Sequence, residues 1–189
     1  MQVNINEDLH KPGLSGFMYL YFKKCKRDFK KSLKYSGLLT LLFLVVFFLS
    51  KKCSLSLLNN LLSISLKVSP SLLAFTLAGY AVIMGRGVEN LKKVSTNSGL
   101  SMYQKLNTTF IAMLMATLIC LIVTVVLSFI SSSEISSGCI IIDDIANLIA
   151  FTVTSFLLSY MLFAIKDLIS NLFSMGQFME VHNKLRHDK

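Results

Sequence analysis

Apolar residues in this chain come in blocks, not in the strict alternation of a half-buried strand or the single stripe of a soluble helix. Two blocks reach the roughly 20 residues that carry a helix across a bilayer. Thr108 to Ile130 holds no charged residue, and neither does Ile145 to Ile165. A third, Val68 to Gly85, lies between Lys67 and Arg86 and holds 18 residues. The fourth, Ser36 to Ser50, has only 15 residues between Lys34 and Lys51, but lysines at both ends snorkel and lengthen its reach. A signal peptide competes for this segment; the 35 residues before it and the lack of a small-residue cleavage site after it argue against that reading. The pattern predicts an all-α fold: a four-span transmembrane helical bundle with spans at 36–50, 68–85, 108–130 and 143–165.

Amphipathic segments flank these spans. Residues 1–13 are polar and broken by Pro12 and Gly13, which predicts a tail. Met18, Phe22, Cys25, Phe29 and Leu33 then fall at helical spacing, surrounded by Lys23, Lys24, Lys26, Arg27, Lys30, Lys31 and Lys34. This predicts a basic amphipathic helix in the headgroup region, drawn to anionic lipids by about 1 kcal/mol per cation. Docking of an acidic partner or nucleic acid is the alternative. Residues 53–66 predict a short interfacial helix, with Ser69 and Pro70 starting the second span. In 86–107, Glu89 precedes Lys92 and Lys93 by three and four residues, and Asn97, Ser98 and Gly99 supply a turn, giving a protruding hairpin tip. Beyond Lys166, the stripe of Leu168, Leu172, Met175 and Met179, with Ile169, Phe173 and Phe178 beside it, predicts an amphipathic C-terminal helix over 166–189. Its apolar face has to be covered by the N-terminal helix, by lipid or by another protein. The expected organisation is thus 1–35, a transmembrane domain over 36–165, and 166–189.

Composition agrees with this, the mean hydropathy being +0.63. Of the 19 Lys and Arg, 16 fall in the three segments that share one side, and only Lys51, Lys52 and Lys67 fall opposite. Cells keep such cations inside. A multi-pass protein of the bacterial inner membrane with both termini cytoplasmic is therefore expected, and the net charge of +9 needs no direct contact with nucleic acid. Cys53 and Cys139 fall at the outer face, where a disulfide between them is one reading and two unrelated small residues the favoured one.

Small residues mark where membrane helices approach closely. Ala74, Ala78, Ala81 and Gly85 form one ridge in the second span; Ala112, Ala116, Cys120, Thr124 and Ser128 form another in the third, every four residues. Both are expected to be tight crossings, within one chain or between copies. In the fourth span Asp143, Asn147, Ala150 and Thr154 share a face beside Asp144. A polar path is one reading. Lys166 lies 23 residues beyond Asp143, about 34 Å, which places the aspartates at the outer interface in the favoured one. His182 and His187 miss zinc spacing, Gly85 and Gly87 make no phosphate loop, and no serine elbow exists, so no enzyme, cofactor or metal site is expected.

A chain of this length, with four spans, cytoplasmic ends and a basic inner face, resembles the membrane subunit of the bacterial Kiwa anti-phage defence system. The likeness is one of architecture over the whole chain and transfers no residue. It implies a homo-oligomer, with four copies the expected number, that detects phage attack at the envelope and recruits a cytosolic DNA-binding partner. The function expected is a non-enzymatic sensor or scaffold; a small pore-forming effector is the alternative.

Overall fold

The computed structural model describes residues 16–17, 19–50, 53–85, 100–133 and 140–187. Among these the backbone is almost wholly helical. A π-helical turn, Leu20–Lys24, precedes α1 (Lys26–Leu49), α2 (Ser54–Gly85), α3 (Met102–Ser132) and α4 (Ile140–His187). Each of the four contains a stretch long and apolar enough to cross a bilayer: Phe29–Leu49, Ser54–Ala81, Met102–Ser132 and Ile140–Gln177. The protein is an all-α, multi-pass membrane protein with a four-span helical bundle. Helix is what such sequences must form, because hydrocarbon offers no partner to an unpaired backbone N–H or C=O. The start of α3 is set by a capping box, Ser101 Oγ accepting from the Gln104 N–H and Gln104 Oε1 accepting from the Ser101 N–H.

The bundle is organised around α4, which packs against each of the other three helices, while α2 pairs with α3 and α1 packs mainly against α4. The shared core holds Leu58, Leu62, Leu106, Phe110, Met113, Leu158, Met161 and Leu168. Its surface is as apolar as its interior. Leu38, Val46, Phe75, Phe129 and Ile149 are all more than half exposed, an apolar coat that only lipid or another protein covers stably.

The helices run further than the charge pattern suggested. Pro70 does not start a helix; it lies inside α2. Proline removes one backbone hydrogen bond, but ending a helix inside hydrocarbon would strand several, so continuing is the lesser cost. The fourth span and the C-terminal segment are one 48-residue helix. No Gly or Pro interrupts it near Lys166, and Ala164, Leu168 and Met175 carry its buried face onward to Leu106, Met102 and Tyr103 at the start of α3. That contact covers the predicted C-terminal stripe as far as Met175. The basic N-terminal segment bends at Cys25, so the predicted stripe from Met18 to Leu33 is not one helix face: Phe22 folds back onto Phe29, ring centroids 4.9 Å apart.

Hydrogen bonds between helices set their relative heights. Ser131 to Asn59, Ser65 to Thr124, Ser69 to Cys120 and Tyr80 to Asn107 run in order down the antiparallel α2–α3 pair. Ser54, at the start of α2, meets Asp144 and Asn147 in the first turns of α4. At the other end Ser32 meets Asp167, and Thr109 meets Asn171. Lys67 therefore lies midway along this stretch of α2, 13 residues from Ser54 and 13 from Tyr80, about 20 Å along the helix from either. The helix that carries the second span begins at Ser54, so Lys67 lies within it and not ahead of it.

Candidate functional site

The two ridges of small residues have different fates. On α3, Ala112, Ala116, Cys120 and Thr124 are buried and Ser128 is half-buried. They meet a polar seam on α2. The Thr124 hydroxyl donates to the Cys120 carbonyl at 2.7 Å, so Ser65 is the donor in its 2.9 Å bond to Thr124 Oγ1. Ser69 donates to the Cys120 sulfur at 3.7 Å. In hydrocarbon such bonds join helices that have no hydrophobic reason to associate. On α2, by contrast, Ala74, Ala78 and Ala81 are exposed, facing away from the other helices, and the side-chain surroundings of Gly85 lie outside the described residues. The glycine that α2 uses inwardly is Gly79: a Cβ there would sit 3.7 Å from the Phe110 ring, ordinary contact distance.

Above the outward alanines, the same helix carries Asn59, Ser63, Lys67 and Ser71 at intervals of four, all exposed. Asn59, Leu62, Ser63, Leu66 and Lys67 line one wall of a cleft of about 420 Å³, and Ser128, Ser131 and Ser132 of α3 line the other. Ser131 donates to Asn59 Oδ1 at 2.6 Å, which leaves the Asn59 amide hydrogens as donors. The Ser128 hydroxyl is buried and meets no partner among the described residues. Lys67 pairs with no described carboxylate. An ammonium on a helix apolar enough to cross a bilayer is a costly placement and marks a candidate site. Sequence reading missed it because a lysine beside an apolar run looks like a flank. The signal that could have found it is the polar repeat of Asn59, Ser63, Lys67 and Ser71.

The polar face of α4 runs inward from its first turns. Asp143 and Asp144 lie in its first turns at the end of the bundle where α2 begins. Asp144 accepts from Ser54 at 2.6 Å, and Asn147 donates to Ser54 at 3.4 Å. Further in, Thr154, Ser155 and Ser159 are buried with hydroxyls that meet no partner among the described residues, and the apolar Leu158 and Met161 are buried beside them.

At the opposite end Lys23, Lys26, Lys30, Lys31 and Lys34 are exposed, while the side chains of Lys24 and Arg27 lie outside the described residues. The face that α1 turns to α4 is Ser32, Ser36 and Thr40, a third small-residue ridge that the stronger cationic pattern concealed. Ser32 donates to Asp167 Oδ2 at 2.5 Å, the Ser36 hydroxyl bonds the Ser32 carbonyl, and Thr40 bonds the Ser36 carbonyl at 2.8 Å. The Tyr35 ring stacks on Phe163 with the Lys166 ammonium 5.4 Å from its centroid. Before the bend, the Tyr21 hydroxyl contacts that of Tyr160 at 2.5 Å. Burial, with that hydrogen bond behind it, pushes the Tyr21 phenol well above its ordinary value.

Cys53 stands exposed as a free thiol, and Cys139 lies outside the described residues. No group of His, Cys, Asp or Glu among the described residues is placed to hold a metal. No family model, curated protein or solved structure matches this chain. Function has to be read from geometry. Three features stand out: an outward α2 face divided into polar and small halves, a cleft lined by a lysine of α2, and a fourth helix whose last 21 residues run past Lys166, about 32 Å at helical rise.

Proposed function

We propose that this chain is a non-enzymatic, oligomeric sensor or scaffold of the bacterial inner membrane, with both termini in the cytoplasm, that recruits a soluble partner. The observation that carries the reading is the unused ridge on α2. Ala74, Ala78 and Ala81 allow close backbone approach, yet no helix among the described residues takes it up, and small residues that face outward suit a second copy better than lipid. The orientation rests on the cation asymmetry, 16 of the 19 Lys and Arg falling in the segments that share one side. In that orientation the exposed lysines of α1 and the extension of α4 both enter the cytoplasm, one able to bind anionic headgroups and the other able to hold a protein.

The resemblance to the Kiwa membrane subunit gives this reading a biological setting, anti-phage defence, with a tetramer as the expected assembly and a cytosolic DNA-binding protein as the partner. A pore along the fourth span is the second reading: Leu158 and Met161 interrupt its polar face, but the buried Ser155 and Ser159 lie beside them. Affinity capture of the full chain from mild detergent tests the proposal. An oligomer that co-purifies with one defined soluble protein is expected; recovery of a bare monomer would refute it.

A further inference from the structure

We propose that the cleft around Lys67 is an intramembrane binding site for a small inorganic anion of the halide class, situated on the α2 face through which copies of the chain meet. Its placement rests on the oligomeric reading above; its chemistry rests on the cleft. At 100° per residue, Asn59, Ser63, Lys67 and Ser71, and then Ala74, Ala78 and Ala81, fall within one arc of about 120°. All seven are exposed. A single strip thus runs down α2, rich in hydrogen-bond donors in the half nearer Ser54 and built of small residues in the other half.

Acyl chains are a poor neighbour for such a strip. The strip has to face water or protein, and the cleft runs from Lys67 to Ser132, the last residue of α3. A free inorganic anion and a lipid phosphate share this chemistry, and the lipid composition of the test separates them. Between copies, the alanine half closes the contact, while the polar half leaves a wet pocket into which each copy brings a Lys67. Like charges brought together between copies repel, and a bound anion removes the repulsion. The lining suits one. It offers the Lys67 ammonium, the amide hydrogens of Asn59, the Ser63 hydroxyl and the buried, unpartnered Ser128 hydroxyl, and no carboxylate. Rings of lysine are how membrane proteins select anions.

The test uses the full chain in nanodiscs, with thermal unfolding followed by tyrosine fluorescence as chloride replaces gluconate at constant ionic strength. Chloride should stabilise saturably, and equally in zwitterionic and in phosphatidylglycerol discs. Lys67→Met should raise the half-saturating concentration by about tenfold or abolish the effect, Lys67→Arg should retain it, and Ser128→Ala should weaken it. A response absent from the native chain, unchanged in Lys67→Met, or seen only with anionic lipid would overturn the site. Native mass spectrometry of the same samples separates the two readings: a monomer that keeps a Lys67-dependent response overturns the contact between copies, and an oligomer that lacks one overturns the anion.

Discussion

Placing the same bulky side chain on each ridge of small residues separates the two roles assigned to them. Ala116 on α3 is 8% exposed, on the ridge that meets Ser65 and Ser69 of α2. Leucine there adds three carbons to a full interface, and overpacking of this kind costs about 1–3 kcal/mol. Since about 1.4 kcal/mol is a factor of ten, the folded-to-unfolded ratio of the single chain should fall by roughly 5- to 150-fold. Ala78 on α2 is exposed, so Ala78→Leu should leave the stability of the isolated chain within about 0.5 kcal/mol of the native value. Its effect should fall on association. Reversible unfolding in mixed micelles, at a protein-to-micelle ratio low enough to keep chains apart, measures the first quantity; cross-linking at a high ratio measures the second. An Ala78→Leu chain that unfolds as readily as Ala116→Leu would show that the α2 ridge is packed within the bundle, and the proposed interface would fall.

Further outcomes follow from the same geometry. Pro70→Ala should stabilise the chain, because α2 continues through this position and alanine restores the missing N–H; destabilisation would mean that the bundle depends on proline geometry there. Alkaline pH should destabilise the native chain through Tyr21. Above the ordinary phenol value of 10.0 the unfolded chain releases this proton while the folded chain keeps it, so stability falls as pH rises, and the loss between pH 9 and pH 11 should shrink in Tyr21→Phe. An identical loss in the variant would exclude Tyr21 as the source. In a Cys139→Ser background, a membrane-impermeant maleimide added to spheroplasts should label Cys53, the exposed thiol where α1 ends and α2 begins; labelling only after lysis would reverse the proposed orientation.

The number of helices and their place in lipid could be read from the order of residues, since 23 uncharged residues from Thr108 to Ile130 have one stable form in a bilayer whatever surrounds them. The ridge from Ala112 to Ser128 was legible for a related reason: a strict repeat of four marks one helix face. What that face meets is another matter. Whether a ridge turns inward or outward depends on which neighbours α2 acquires, and only tertiary contacts decide that Gly79 faces Phe110 while Ala78 faces out. Depth is likewise a relation between helices. Lys67 reads as a flank when its own segment is measured alone, and as a position within the α2–α3 pair once Ser65 and Ser69 are hydrogen-bonded to α3. Hydrophobicity along the chain determined that it would be threaded through a membrane; side-chain hydrogen bonds and close packing decided the heights and facings of its helices, because those terms exist only between segments that have already met.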